Sequence, residues 1–142
     1  MVVPEALAPV FEKLSQNLYI CASTLAQHAA LACFTPESLA EFERRRLEFK
    51  RRRDFIVPAL RSLGLEVPVE PDGAFYVYID CSRYSDDSAR FAERILEEAH
   101  VSVVPGDDFG VFEPRRYLRL SYATAMEDLE EAVRRLGRML GR

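Results

Sequence analysis

A chain of 142 residues, 49% hydrophobic and 11% aromatic, can form one ordinary domain with a sizeable core, or a domain with a short appendage. Its net charge of -4 argues against general affinity for nucleic acid or anionic membrane, and no apolar run approaches the ~18 residues that cross a bilayer. Cys21, Cys33 and Cys81, an odd count without C-x-x-C spacing, suit buried thiols in a reducing compartment, so a cytoplasmic location is expected.

The first predicted element is a helix over residues 4–18, where Leu7, Val10, Phe11, Leu14 and Leu18 repeat at helical spacing. Pro4 suits its first turn, while Pro9 predicts a distorted start. A short second helix is expected from Ser23 to about Phe34, with small residues that permit close packing. Thr35-Pro36 then opens a long third helix, Thr35 as cap and Pro36 in the first position, running to Leu63 with Gly64 as its stop. Leu39, Phe42, Arg46, Phe49, Arg53, Ile56, Leu60 and Leu63 form its seam, and Pro58 predicts a bend near Asp54–Pro58. The two arginines on that seam are expected to pair with Asp80 or Asp54.

After Gly64 the texture becomes β-rich. Leu65–Val67 and Gly73–Asp80 read as strands around a Pro71-Asp72-Gly73 turn. Ser85 or Asp86 is expected to cap a helix over Ser88–Ala99, with Phe91, Ile95 and Leu96 inward. Val101–Val104 reads as a strand ended by Pro105-Gly106, and Tyr117–Tyr122 as the next. Thr124-Ala125-Met126-Glu127 has the capping-box pattern and opens a last helix with Leu129, Val133, Leu136 and Leu140 as its stripe. The fold class that follows is α+β: a small, mostly antiparallel sheet with helices on one face, preceded by a helical segment that includes one long bent helix.

Several features invite functional readings. Arg44-Arg45-Arg46 and Lys50-Arg51-Arg52-Arg53 alternate with Glu41, Glu43, Glu48 and Asp54, which makes a solvated face with local ion pairs rather than a nucleic-acid helix. His28 and His100 stand apart from any cysteine or carboxylate cluster, so no metal site is expected. The loop from Pro105 to Gly110 matches neither a Walker loop nor a dinucleotide fingerprint. Arg119 is the informative residue. It sits inside Tyr117-Leu118-Arg119-Leu120-Ser121-Tyr122-Ala123, and an always-charged guanidinium in an apolar run needs a carboxylate, either from the protein or from a ligand.

Three segments in this order resemble the C-terminal part of the class I/II aminotransferases, the pyridoxal-phosphate enzymes of the aspartate aminotransferase superfamily. They are Glu70-Pro71-Asp72-Gly73-Ala74-Phe75-Tyr76-Val77, then Val101-Ser102-Val103-Val104-Pro105-Gly106 with Phe109-Gly110, then Tyr117 to Ala123. Ser23-Thr24-Leu25-Ala26-Gln27, Arg52-Arg53-Asp54 and the terminal amphipathic helix fit the same pattern. The resemblance implies that Arg119 binds the substrate's α-carboxylate through a bidentate salt bridge. It also implies that Gly73, Ala74 and Phe75, with Gly106 and Phe109, border the active-site entrance.

The same resemblance marks what this sequence lacks. The family's Schiff-base lysine lies in a Ser-Lys element followed by Gly-x-Arg, and neither Lys13 nor Lys50, the only lysines, matches it. The aspartate for the pyridine nitrogen and the phosphate-binding loop are likewise unmatched, and His100 stands where the family usually has glycine. Residues 35–142 are accordingly expected to form the aminotransferase small domain, and residues 1–34 a helical remnant of the large cofactor-binding domain, with Met1 an internal methionine. The intact enzyme would move an amino group between an amino acid and a 2-oxo acid using pyridoxal phosphate. This chain alone is expected to hold no cofactor and to be inactive. Its partners would be the amino-acid or 2-oxo-acid substrate and a large-domain partner or second copy, with no nucleic acid and no membrane. The alternatives are a stand-alone amino-acid- or protein-binding module, or half of a split enzyme completed in trans.

Overall fold

The computed structural model describes residues 2–142. It divides into two compact units, Met1–Arg44 and Arg45–Arg142, with the boundary inside the third helix.

The first unit is helical. A 3-10 turn, Glu5–Leu7, leads into α1 (Ala8–Leu18), and α2 spans Thr24–Ala32. The distortion expected at Pro9 is realised as that 3-10 turn, and Pro9 then falls in the first turn of α1, where a missing N–H costs nothing. Helix α3 (Pro36–Ser62) opens as expected, the Thr35 hydroxyl accepting from the Ser38 N–H at 3.3 Å. It continues through Pro58, which cannot donate to the Asp54 carbonyl. Gly64 terminates it at φ +76°, with Gly64 N–H on the Arg61 carbonyl and Leu65 N–H on Leu60, a Schellman closure.

The second unit holds the sheet. Strands β1 (Tyr76–Asp80), β2 (Val104–Pro105) and β3 (Tyr117–Ser121) pair antiparallel in the order β1-β3-β2. Alternation along β1 and β3 sends Val77, Ile79, Leu118 and Leu120 to one buried face. There they join Ile56, Val57 and Leu60 of α3, Phe91 and Ile95 of α4 (Ser88–Ala99), and Leu129 and Leu136 of α5 (Met126–Leu140) in a single core. Helices thus cover one face, and the α+β class expected from the sequence is the one observed.

Local details depart from the sequence reading. Leu65–Val67 contributes only an isolated bridge, Glu66 to Asp80, because Pro68 has no N–H to extend a ladder. Val101 and Val103 pack against the core without pairing, so β2 shrinks to two residues. The cap of α4 is Asp87, whose Oδ1 accepts from the Ala89 and Arg90 N–H groups at 3.1 Å each. Ser85 instead accepts from the Asp87 N–H and donates to the Asp87 carbonyl, a local turn that delivers the cap. Leu96 is exposed rather than inward. No capping box forms at α5: its N-cap is Ala125, and the Thr124 hydroxyl donates to Asp128 Oδ2 at 2.7 Å. Cys81 is buried, whereas Cys21 and Cys33 are exposed.

Candidate functional site

Arg119 lies on the other face of β3, opposite the core-facing Leu118 and Leu120. The strand is therefore buried on one side only, and the guanidinium is half-buried instead of sealed in the core. Register places Tyr78 of β1 and Val104 of β2 directly across from Arg119. The period of two brings Tyr76 and Tyr117 to the same face. Arg119 Cζ stands 4.0 Å from the centroid of the Phe109 ring and 5.3 Å from that of Tyr76. Tyr78 meets Phe109 and Tyr117 edge-on, at 6.2 Å and 6.3 Å. Burial pushes the Tyr78 phenol above its ordinary value, while the Arg119 charge pulls the other way. A cleft of about 250 Å³ adjoins this cluster, lined by Tyr78, Tyr117 and the loop residues Gly106, Phe109, Gly110, Val111, Phe112 and Pro114.

The carboxylate at the end of β1 goes to a different arginine. Asp80, at the end of β1, takes Nε and Nη2 of Arg116 on its Oδ2 at 2.8 Å and 2.7 Å. Its Oδ1 accepts from the Ser82 N–H. Burial opposes ionisation of Asp80, yet the Arg116 and Ser82 hydrogen bonds outweigh it and hold the carboxyl below its usual range. Asp80 is thus not the partner of Arg53. Arg53 bonds Asp54 through Nε and Nη2, as the second expectation had it, and donates Nη1 to the Pro71 carbonyl at 3.0 Å. Among the described residues Arg119 has no ion pair and no hydrogen-bond acceptor, only rings.

The two flanking loops are held by backbone contacts. A Cβ on Gly106 would lie 2.3 Å from the Pro114 carbonyl oxygen, so only glycine lets these segments approach. The 3-10 turn Gly106–Asp108 then delivers Phe109, whose N–H bonds the Gly106 carbonyl at 2.9 Å. On the other side, the Tyr122 hydroxyl reaches the Gly73 and Ala74 carbonyls at 3.4 Å and 3.3 Å. Tyr122 N–H bonds the Phe75 carbonyl, extending the β1–β3 pairing by one residue. Ala74 takes a left-handed φ of +63°, and Phe75 packs edge-on against Tyr76 at 5.5 Å between centroids. Phe109 therefore joins Arg119 directly, Phe75 joins it through Tyr76, and Gly73, Ala74 and Gly106 act through backbone. Tyr76, Tyr78 and Tyr117 were missed as site residues, although strand alternation already placed the two β1 tyrosines on one face.

Other readings resolve simply. Glu48 receives Arg51 and Arg52, Glu41 receives Arg44, and Asp54 receives Lys50, so α3 is laced by local ion pairs. The hydrogen bonds from Arg51 and Arg52 hold the Glu48 carboxyl down at about 2. Among the described residues no group of three His, Cys, Asp or Glu could hold a metal, and no helix is long and apolar enough to cross a membrane.

The sequence profile described as aminotransferase class I and II matches residues 1–136. The chain belongs to that family. It is 36% identical over 140 residues to a valine–pyruvate aminotransferase of Mycobacterium tuberculosis, covering 99% of this chain and 36% of the relative. Against an aspartate/prephenate aminotransferase of Thermus thermophilus it is 42% identical over 141 residues, covering 98% of this chain and 35% of the relative. The structure superposes on an aminotransferase from Mycobacterium tuberculosis with a TM-score of 0.89 at 36% identity, covering 98% of this chain and 36% of that one. With an aromatic aminotransferase from Pyrococcus horikoshii the TM-score is 0.82 at 37% identity, covering 99% and 37%. The chain spans about a third of the length of the curated relatives it matches.

Membership of the family implies pyridoxal phosphate in the intact enzyme. That group needs a lysine amine, an anion cradle and an acid for its ring nitrogen. The face around Arg119 offers a guanidinium and aromatic walls instead. The Lys50 ammonium is bound to Asp54 at 2.6 Å on α3, and Lys13 lies on α1 in the first unit. The residues around Arg119 do not fit the cofactor.

Proposed function

We propose that this chain is the C-terminal part of an amino-acid aminotransferase, and that Arg119 binds the α-carboxylate of its substrate. One observation carries the reading: on the open face of the sheet a forked cation is walled by rings and paired with no carboxylate among the described residues. A planar guanidinium matches a carboxylate through two parallel N–H···O bonds, which fix direction as well as position. Holding the carboxylate that way restricts the amino acid to few orientations, the contribution this chain makes to the chemistry. Gly73, Ala74, Phe75, Gly106 and Phe109 border the entrance, their backbone anchored as described above.

The reaction of the intact enzyme is amino-group transfer between an amino acid and a 2-oxo acid with pyridoxal phosphate, in the cytoplasm. Residues 35–142 form its small domain, and residues 1–34 lead to the cofactor-holding part. The exposure of Leu7, Val10, Leu14 and Leu18 supports that second assignment, since such a stripe needs a partner surface. Alone, the chain is inactive.

The test is a chimaera in which this chain replaces the corresponding C-terminal third of the Thermus thermophilus relative. Transamination is expected, with kcat/KM reduced roughly thirtyfold by Arg119→Lys, which keeps charge but loses the fork. A chimaera as active with Arg119→Ala as with Arg119 would sink the reading.

A further inference from the structure

We infer that Phe109 is a positioning residue for Arg119, its ring holding the guanidinium plane so that the N–H edge stays turned to an incoming carboxylate. The inference rests on the carboxylate role of Arg119. At 4.0 Å from ring centroid to Cζ, the ring is in van der Waals contact with the cation. A ring packed on the face of a guanidinium occupies none of its in-plane donors. Tyr76, at 5.3 Å, adds a second ring.

Phe109 is itself held on two sides. Tyr78 meets it edge-on at 6.2 Å, and the turn that delivers it starts at Gly106, wedged against the Pro114 carbonyl. An arginine without such a ring would sample many rotamers and lose that freedom on binding. One already stacked has given most of it up beforehand. Phe109 is 42% exposed, so its substitution removes the stack without opening the core.

The experiment is solution NMR on the chain, with pyruvate as the carboxylate probe and four forms: wild type, Phe109→Leu, Phe109→Tyr and Arg119→Ala. In wild type and Phe109→Tyr the Arg119 Nε–H resonance is expected to carry a ring-current shift that Phe109→Leu abolishes. The pyruvate Kd is expected to rise about fivefold in Phe109→Leu, the worth of one cation–π contact at a part-exposed site, and to return in Phe109→Tyr. Loss of the ring-current shift with an unchanged Kd would overturn the positioning role and leave the carboxylate role of Arg119 standing. Pyruvate binding equal in wild type and Arg119→Ala, or absent from wild type, would overturn both.

Discussion

The Asp80 carboxylate receives Arg116 through Nε and Nη2 on one oxygen, at 2.8 Å and 2.7 Å. That pairing ties the end of β1 to the residue preceding β3, and the Arg116 carbonyl in turn accepts the Cys81 N–H at 2.9 Å. It also commits Asp80 to Arg116, three residues before Arg119.

Replacing Asp80 by Asn should therefore cost roughly 2 kcal/mol at neutral pH, measured by urea unfolding. The Asp80 carboxyl is held below its ordinary value in the folded state, so its contribution is complete above the unfolded pKa of about 4 and fades as pH falls through the lower folded value. The stability gap between wild type and the variant should stay level from pH 7 to about 5, then close on further acidification. A gap that widens in acid would contradict this assignment.

Gly106→Ala should destabilise the second unit by about 2 kcal/mol, since the new methyl meets backbone rather than a movable side chain. Thermal or urea unfolding measures it. A neutral substitution would mean that the Gly106–Pro114 approach is looser than described.

His100 ends α4 at φ +54° and ψ +39°, its N–H on the Leu96 carbonyl. The resemblance already marked this position as one where the family usually has glycine. His100→Gly should stabilise the fold by about 1 kcal/mol, because glycine enters that conformation without the Cβ penalty. A fall in Tm would show that the imidazole makes a compensating contact.

Cys21 and Cys33 are exposed, while Cys81 is buried, with burial pushing its thiol up to about 11. A thiol reagent at neutral pH should modify two cysteines promptly and the third only on unfolding. Prompt modification of all three would argue that the region around Cys81 opens readily.

Much of this arrangement was legible residue by residue. The Thr35-Pro36 start, the Gly64 stop and the core positions Phe91, Ile95, Leu129 and Leu136 follow from capping chemistry and helical period, both local properties, whereas Leu96 was read inward and is exposed. Arg119 stood out because a charge interrupts an apolar run. Its environment was less legible: strand alternation puts it on the open face, and which rings surround it depends on register between segments some 40 residues apart in sequence. The claim of Arg116 on Asp80 spans a similar separation, so the sequence alone offered Asp80 or Asp54 as partners for Arg46 and Arg53. Phe109 reaches Arg119 because Gly106 passes close to Pro114, a contact no motif announces.

The central claim is that Arg119 is a carboxylate site, and calorimetric titration of the chain with dicarboxylic and aromatic amino acids addresses it most directly. Saturable binding to the wild type is predicted, with its heat abolished in Arg119→Ala and affinity reduced about tenfold in Arg119→Lys. Binding of equal strength to wild type and Arg119→Ala would contradict the account.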